Sequence, residues 1–138
     1  MTALGDFTAG DVLQASDLNA IGAWSDWTST ITAQTGTPTT TIIYYSRYVK
    51  IQDLVIAVIR VRVVDSGTAN GSLRFTLPIN ANATAPQSFT VSGRETAVTG
   101  DTLNGELTTT YANVRYYDNG VPWVNGRYYS LVTIYQAA

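Results

Sequence analysis

From Trp27 the chain alternates with a period of two: Trp27, Ser29 and Ile31 fall on one side, and Thr28, Thr30 and Thr32 on the other. That is a strand pattern. Gln34 to Thr41, with Gly36 and Pro38, interrupts it, and Ile42 to Ile51 resumes extended character with Tyr44, Tyr45 and Tyr48. Leu54 to Val64 is the most apolar stretch, with Val55, Ala57, Ile59, Val61 and Val63 on one face and Arg60 and Arg62 on the other. It is expected at the centre of the core.

Further alternating runs follow at Leu73, Phe75 and Leu77, at Phe89 and Val91, at Leu103 and Leu107, and at Val114 and Tyr116. In the last run, Tyr128, Ser130, Val132 and Ile134 alternate against Tyr129, Leu131, Thr133 and Tyr135, so both of its faces look covered. Asn-Gly pairs stand at 70–71, 104–105, 119–120 and 125–126, and Asn-Gly suits the positive φ values of a tight hairpin turn. The pattern predicts an all-β, antiparallel, two-sheet sandwich of about eight strands, jelly-roll-like in connectivity. A meander or Greek key is implied for the second half.

The first segment has a different period. Leu18, Ile21 and Trp24 recur at helical spacing behind a cap at Ser16 or Asp17, which predicts a short helix ending near Gly22. Residues 1–24 therefore read as an N-terminal arm with a short helix, and 25–138 as the β-sandwich domain. The arm has too few apolar residues to fold alone, so Phe7, Leu13, Leu18 and Ile21 are expected to anchor it on a neighbouring subunit or another protein.

Composition narrows the chemistry. Among 138 residues there is no histidine and no cysteine, which removes Ser/His/Asp and Cys/His nucleophile systems, the usual zinc and haem ligands, and disulfides. Charged residues make up 13% of the chain, about half the usual share, and 21 threonines supply neutral polar surface instead. Such a surface is buried against a neighbour at little desolvation cost. The net charge of −2 provides no basic patch for nucleic acid and no polybasic signal for a membrane, and no apolar run approaches membrane-spanning length. A soluble protein without cofactor or metal is expected. Asn70-Gly71-Ser72 and Asn82-Ala83-Thr84 fit the glycosylation pattern but read as turn chemistry.

Carboxylates are the remaining acid/base machinery, with Glu95, Asp101 and Glu106 in one neighbourhood and Asp6, Asp11 and Asp17 in another. Glycan cleavage would need two of them flanking a sugar about 5 to 9.5 Å apart. The simpler reading is solvated loop acids, and a calcium loop of the D-x-D-x-D-G kind is missing from the sequence. No enzymatic activity is expected. Aromatic side chains are the richer vein: Trp24, Trp27, Tyr44, Tyr45, Tyr116, Tyr117 and Trp123 are candidates for a subunit interface or for stacking on a glycan. Adjacent tyrosines on a strand point to opposite faces, so one of each pair should be inward.

Phe7, Gly10, Leu13, Ala15, Asp17, Leu18 and Asn19 make an F-x-x-G-x-x-L-x-A-x-D-L-N segment. It resembles the leader of many tailed-bacteriophage virion proteins, which continue to a Trp that opens a β-sandwich. Trp27, the Tyr48-Val49-Lys50-Ile51 strand, the Phe75-Thr76-Leu77-Pro78 strand end and the tyrosine-rich strand closing at Tyr135 are similar to that group as well. One departure is Gln52-Asp53, where relatives usually place Gly after the Lys-Ile pair.

The group includes capsid decoration proteins, head fibres and minor tail proteins. The resemblance implies a virion structural protein, made in the host bacterial cytoplasm, and the short chain suits an outer capsid decoration or cement protein. Its expected partners are the major capsid protein or another virion protein, and copies of itself in a homotrimer. The alternative is a tail-fibre or receptor-binding module that recognises host surface glycan.

Overall fold

The computed structural model describes residues 12, 14, 15, 21–84 and 89–138. Among them run nine strands: β1 (Ser25–Asp26), β2 (Ile31–Thr35), β3 (Thr40–Ile51), β4 (Leu54–Asp65), β5 (Asn70–Thr76), β6 (Thr90–Glu95), β7 (Thr102–Leu107), β8 (Tyr111–Tyr116) and β9 (Tyr128–Gln136). All pairings are antiparallel and the strand order is β1-β3-β4-β9-β6-β7-β8-β5-β2. The all-β class is as expected. The strands, however, belong to one continuous sheet curled into a half-barrel, where the sequence suggested two separate layers.

Besides these pairings, a corner links the two walls directly. β2–β3 and β4–β5 are each one long strand bent at residues 36–39 and 66–69, and the two bends stay hydrogen-bonded through Thr68 N–H to Thr37 O and Thr39 N–H to Asp65 O, both 3.1 Å. A Cβ on Gly36 would lie 1.9 Å from the Thr68 carbonyl oxygen, and Gly36 has a φ of +71°, so only glycine lets the two chains turn this corner together. The ladder therefore passes from one wall to the other without a break.

Residues 25–35 bridge the sheet's two edges. Ser25 and Asp26 pair with Tyr48 and Arg47 of β3, and Trp27 N–H reaches Ser46 O. A few residues on, Ile31 pairs with Phe75 of β5 and Thr76 N–H donates to Thr30 O. β6, β7 and β8 then form the expected meander, and β9 returns to insert between β4 and β6.

The inner face is filled as the alternation requires. Val55, Ala57, Ile59, Val61 and Val63 of β4 are buried, and meet Leu73, Phe75, Val91, Leu103, Leu107, Val114, Tyr129, Leu131 and Tyr135. β9 is covered on that face only: Val132 and Ile134 are exposed on the other, against expectation, because no second layer lies over them among the described residues.

Turn chemistry follows the sequence in part. Asn119 takes a φ of +67° in a tight turn that returns Tyr116 N–H to Gly120 O, and Gly126 turns at +83° before β9. Asn104-Gly105 instead lies inside β7, and Asn70-Gly71 opens β5 at the corner. Asn82 Oδ1 accepts Thr84 N–H and Asn70 Oδ1 accepts Gly71 N–H, both at 2.8 Å, the turn role assigned to those sequons. The β3–β4 hairpin places Gln52 at a φ of +52°, in the left-handed region where glycine is favoured, at the site of the departure from the phage pattern. Most of the expected N-terminal helix, and likewise Phe7, Leu13 and Leu18, lies outside the described residues; Ile21 and Gly22, at its expected end, form a turn with Gly22 at a φ of +72°.

Candidate functional site

The carboxylates divide by environment. Glu95 has no solvent exposure and closes the loop after β6: its two oxygens accept the backbone N–H groups of Ala97, Val98, Thr99 and Gly100 at 2.6 to 3.2 Å, together with the Thr99 hydroxyl. Arg127 adds an ion pair at 3.4 Å. Burial pushes the carboxyl up, but the four backbone donors outweigh it and hold Glu95 well below the usual carboxylate range. Its lone pairs are already engaged by the loop. Asp101 is half-buried beside it, and Glu106 faces solvent on β7. Asp6, Asp11 and Asp17 lie outside the described residues, and among the described ones no group of three or more potential ligands is placed to hold a metal.

The aromatic candidates also separate. Trp123 is buried in the core, and Trp27 packs against it, edge-on to Tyr48 at 6.3 Å, with its indole N–H donating to Thr76 O at 3.1 Å. Tyr116 points inward, as the pairing rule requires, and its hydroxyl meets that of Tyr129 at 2.8 Å; Tyr129 in turn donates to Pro122 O at 2.6 Å. These three are structural rather than surface residues. Tyr117 is exposed just past the end of β8, its backbone N–H donating to Thr102 O, and Trp24 is exposed beside β1, where its carbonyl accepts from Arg47. Ile21 is exposed as well.

Tyr44 and Tyr45 break the rule of opposite faces, with exposures of 52% and 43%. A β-bulge explains it. Ile43 pairs with Val61 and Tyr45 with Arg60, leaving Tyr44 as the extra residue, so the alternation slips by one. Both rings then reach the outer face.

That outer face, across β3, β4 and β9, has two halves set by register. At the hairpin end, Ile51 pairs with Leu54, Val49 with Ile56, Ile56 with Ile134 and Val58 with Val132, a contiguous apolar surface of which Leu54, Val132 and Ile134 are exposed, Ile134 at 55%. The N-terminal segment enters here: a Cβ on Gly22 would touch Ile51 and Val49 at 3.8 and 3.9 Å. At the corner end, Arg62 pairs with Tyr128, and Arg60 with Tyr45 on one side and Ser130 on the other. Hydrogen bonding toward Tyr128, then toward Arg62, holds the Tyr44 hydroxyl below the ordinary tyrosine range.

Sequence periodicity places Arg60 and Arg62 outward but does not bring them to the tyrosines. Only the bulge and the β4–β9 pairing do that.

Comparison with protein-family models, with curated proteins and with solved structures gives no match. Among the described residues, no helix is long and apolar enough to cross a membrane.

Proposed function

We propose that this chain is a non-enzymatic structural component of a bacteriophage virion, one that decorates the outside of the capsid and strengthens the shell. The observation that carries the reading is the apolar half of the outer face, with Leu54, Val132 and Ile134 open to water and the N-terminal segment entering beside them over Val49 and Ile51. Uncovered apolar surface of this kind marks an interaction site. The sequence also carries the leader-like segment from Phe7 to Asn19, whose apolar residues gain several kcal/mol, at about 25 cal/mol per Å², on docking against a neighbour. Glu95, the best-placed of the acids, is held by its own loop, which favours a structural role over a catalytic one.

In this reading the partners are the major capsid protein and two further copies of the chain around a threefold axis, and the protein is made in the host cytoplasm. The test is a copy number per purified particle. Hundreds of copies support decoration of the shell, whereas single digits or low tens overturn it in favour of a tail location. An Ile134→Asp, Val132→Asp double variant is expected to keep its melting temperature and lose particle binding. Unchanged binding would remove the apolar half from the attachment surface.

A further inference from the structure

The corner end of the same outer face carries a different chemistry. The guanidinium carbons of Arg60 and Arg62 lie 5.2 and 5.1 Å from the centroid of a single ring, that of Tyr128, and the Tyr44 ring leans against it at 5.6 Å. Register extends the group sideways. Tyr45, Arg60, Ser130 and Arg94 form one row across β3, β4, β9 and β6, about 14 Å from end to end at ordinary strand spacing.

Ion pairs among the described residues join Arg47 to Asp26 and Arg127 to Glu95, so no described carboxylate is in pairing range of Arg60, Arg62 or Arg94. Arg94 uses its Nε on the Gly100 carbonyl, while the Nε of Arg62 is buried with no acceptor among the described residues. Three uncompensated guanidiniums on one face of a chain with a net charge of −2 make a local positive field on an otherwise mildly acidic protein.

We infer that this row binds a carboxylate-bearing saccharide. A guanidinium accepts a carboxylate through two parallel N–H bonds, and the rings of Tyr44 and Tyr45 offer flat apolar faces to the C–H side of a sugar. Tyr44, Tyr45, Arg60 and Arg94 are all exposed on this face, which suits a chain of sugars lying across the strands. An acidic peptide would add to a free strand edge, and the strands that carry Arg60, Arg62 and Arg94, β4 and β6, are hydrogen-bonded to neighbours on both sides. Recognition here falls to side chains. The site occupies the other half of the face from the proposed attachment surface and does not depend on it.

Calorimetric titration of the full chain with an oligogalacturonate tests the proposal, with its methyl ester and a polyglutamate peptide as the comparison probes. The oligogalacturonate is expected to bind, the ester about tenfold or more weakly, and the Arg60→Gln, Arg62→Gln double variant to lose about tenfold or more at an unchanged melting temperature. If the double variant does not fold, Arg94→Gln and Tyr45→Ala carry the same expectation of weakened binding. No heat with the oligogalacturonate, equal binding of the ester, equal or tighter binding of polyglutamate, or unchanged affinity in folded variants would each overturn it.

Discussion

The indole N–H of Trp27 donates to the carbonyl oxygen of Thr76 over 3.1 Å, and in doing so ties the segment that pairs with β3 to the end of β5 at the far side of the strand order. Ser29 reaches the same carbonyl at 2.9 Å, and the Thr76 hydroxyl accepts Thr30 N–H at 2.9 Å. The half-barrel is thus held across its gap by side chains as much as by backbone.

Trp27→Phe keeps a ring against Tyr48 and removes that donor. A loss of about 1 to 3 kcal/mol is expected, since a part-buried carbonyl loses one of its donors and some packing goes with it. Chemical denaturation measures it. A change below a few tenths would mean that the closure is carried by Ser29 and Thr30 alone.

Glu95 supplies an acid-sensitive contribution. Its pKa is depressed in the folded state, so its stabilisation is fully present above the unfolded value of about 4.3 and is lost as pH falls toward the folded one. Stability should therefore decline below about pH 4.3, and Glu95→Gln should flatten that decline while costing about 2 kcal/mol or more at neutral pH. Melting curves collected between neutral and strongly acidic pH decide it, and a variant whose acid limb matches the parent would contradict the assignment.

Tyr129 acts at the other end of the pH scale. Burial, and then its bond with Tyr116, raise the hydroxyl far above the ordinary tyrosine value of about 10, and burial raises Tyr135 likewise. A raised folded pKa gives stability that is fully present below about pH 10 and lost as pH rises beyond it. Tyrosinate absorbance from these two rings should thus appear together with the loss of β-type circular dichroism. Tyr129→Phe is expected to cost about 1 to 3 kcal/mol at neutral pH, because Pro122 O and the Tyr116 hydroxyl lose their partner.

Gly105 and Gly126 should respond differently to alanine. A Cβ on Gly105 would fall 1.9 Å from the Asn113 carbonyl oxygen in the neighbouring strand, a backbone atom that cannot move aside, whereas nothing lies within 4 Å of one on Gly126. Gly105→Ala is expected to cost about 3 kcal/mol or more, and Gly126→Ala about 1 to 2 kcal/mol, from its left-handed φ. Paired unfolding curves check the order, and a reversal would place the tight spot elsewhere.

The alternation from Leu54 to Val64 was enough to place Val55, Ala57, Ile59, Val61 and Val63 in the core, because a strand's side chains have only two directions and five apolar residues on one of them must be covered. The same rule put Arg60 and Arg62 outside, but in the last strand it left both faces looking covered, where only the one with Tyr129 and Tyr135 is. It could not show that the strands form one curled sheet, since that depends on β9 pairing with both β4 and β6 and on β8 pairing with β5, between residues far apart in the chain. Nor could it show that Asn104-Gly105 is a place of close strand approach rather than a turn, or that Trp27 and Trp123 are structural. The outer face was hidden for the same reason. One extra residue at Tyr44 reverses the alternation, and the pairing of β4 with β9 then brings Tyr128 under Arg60 and Arg62 from residues more than sixty positions away. Periodicity along a chain fixes which way each side chain points, but which strands lie side by side is decided only when hydrogen bonding and core packing are satisfied together across the whole sheet.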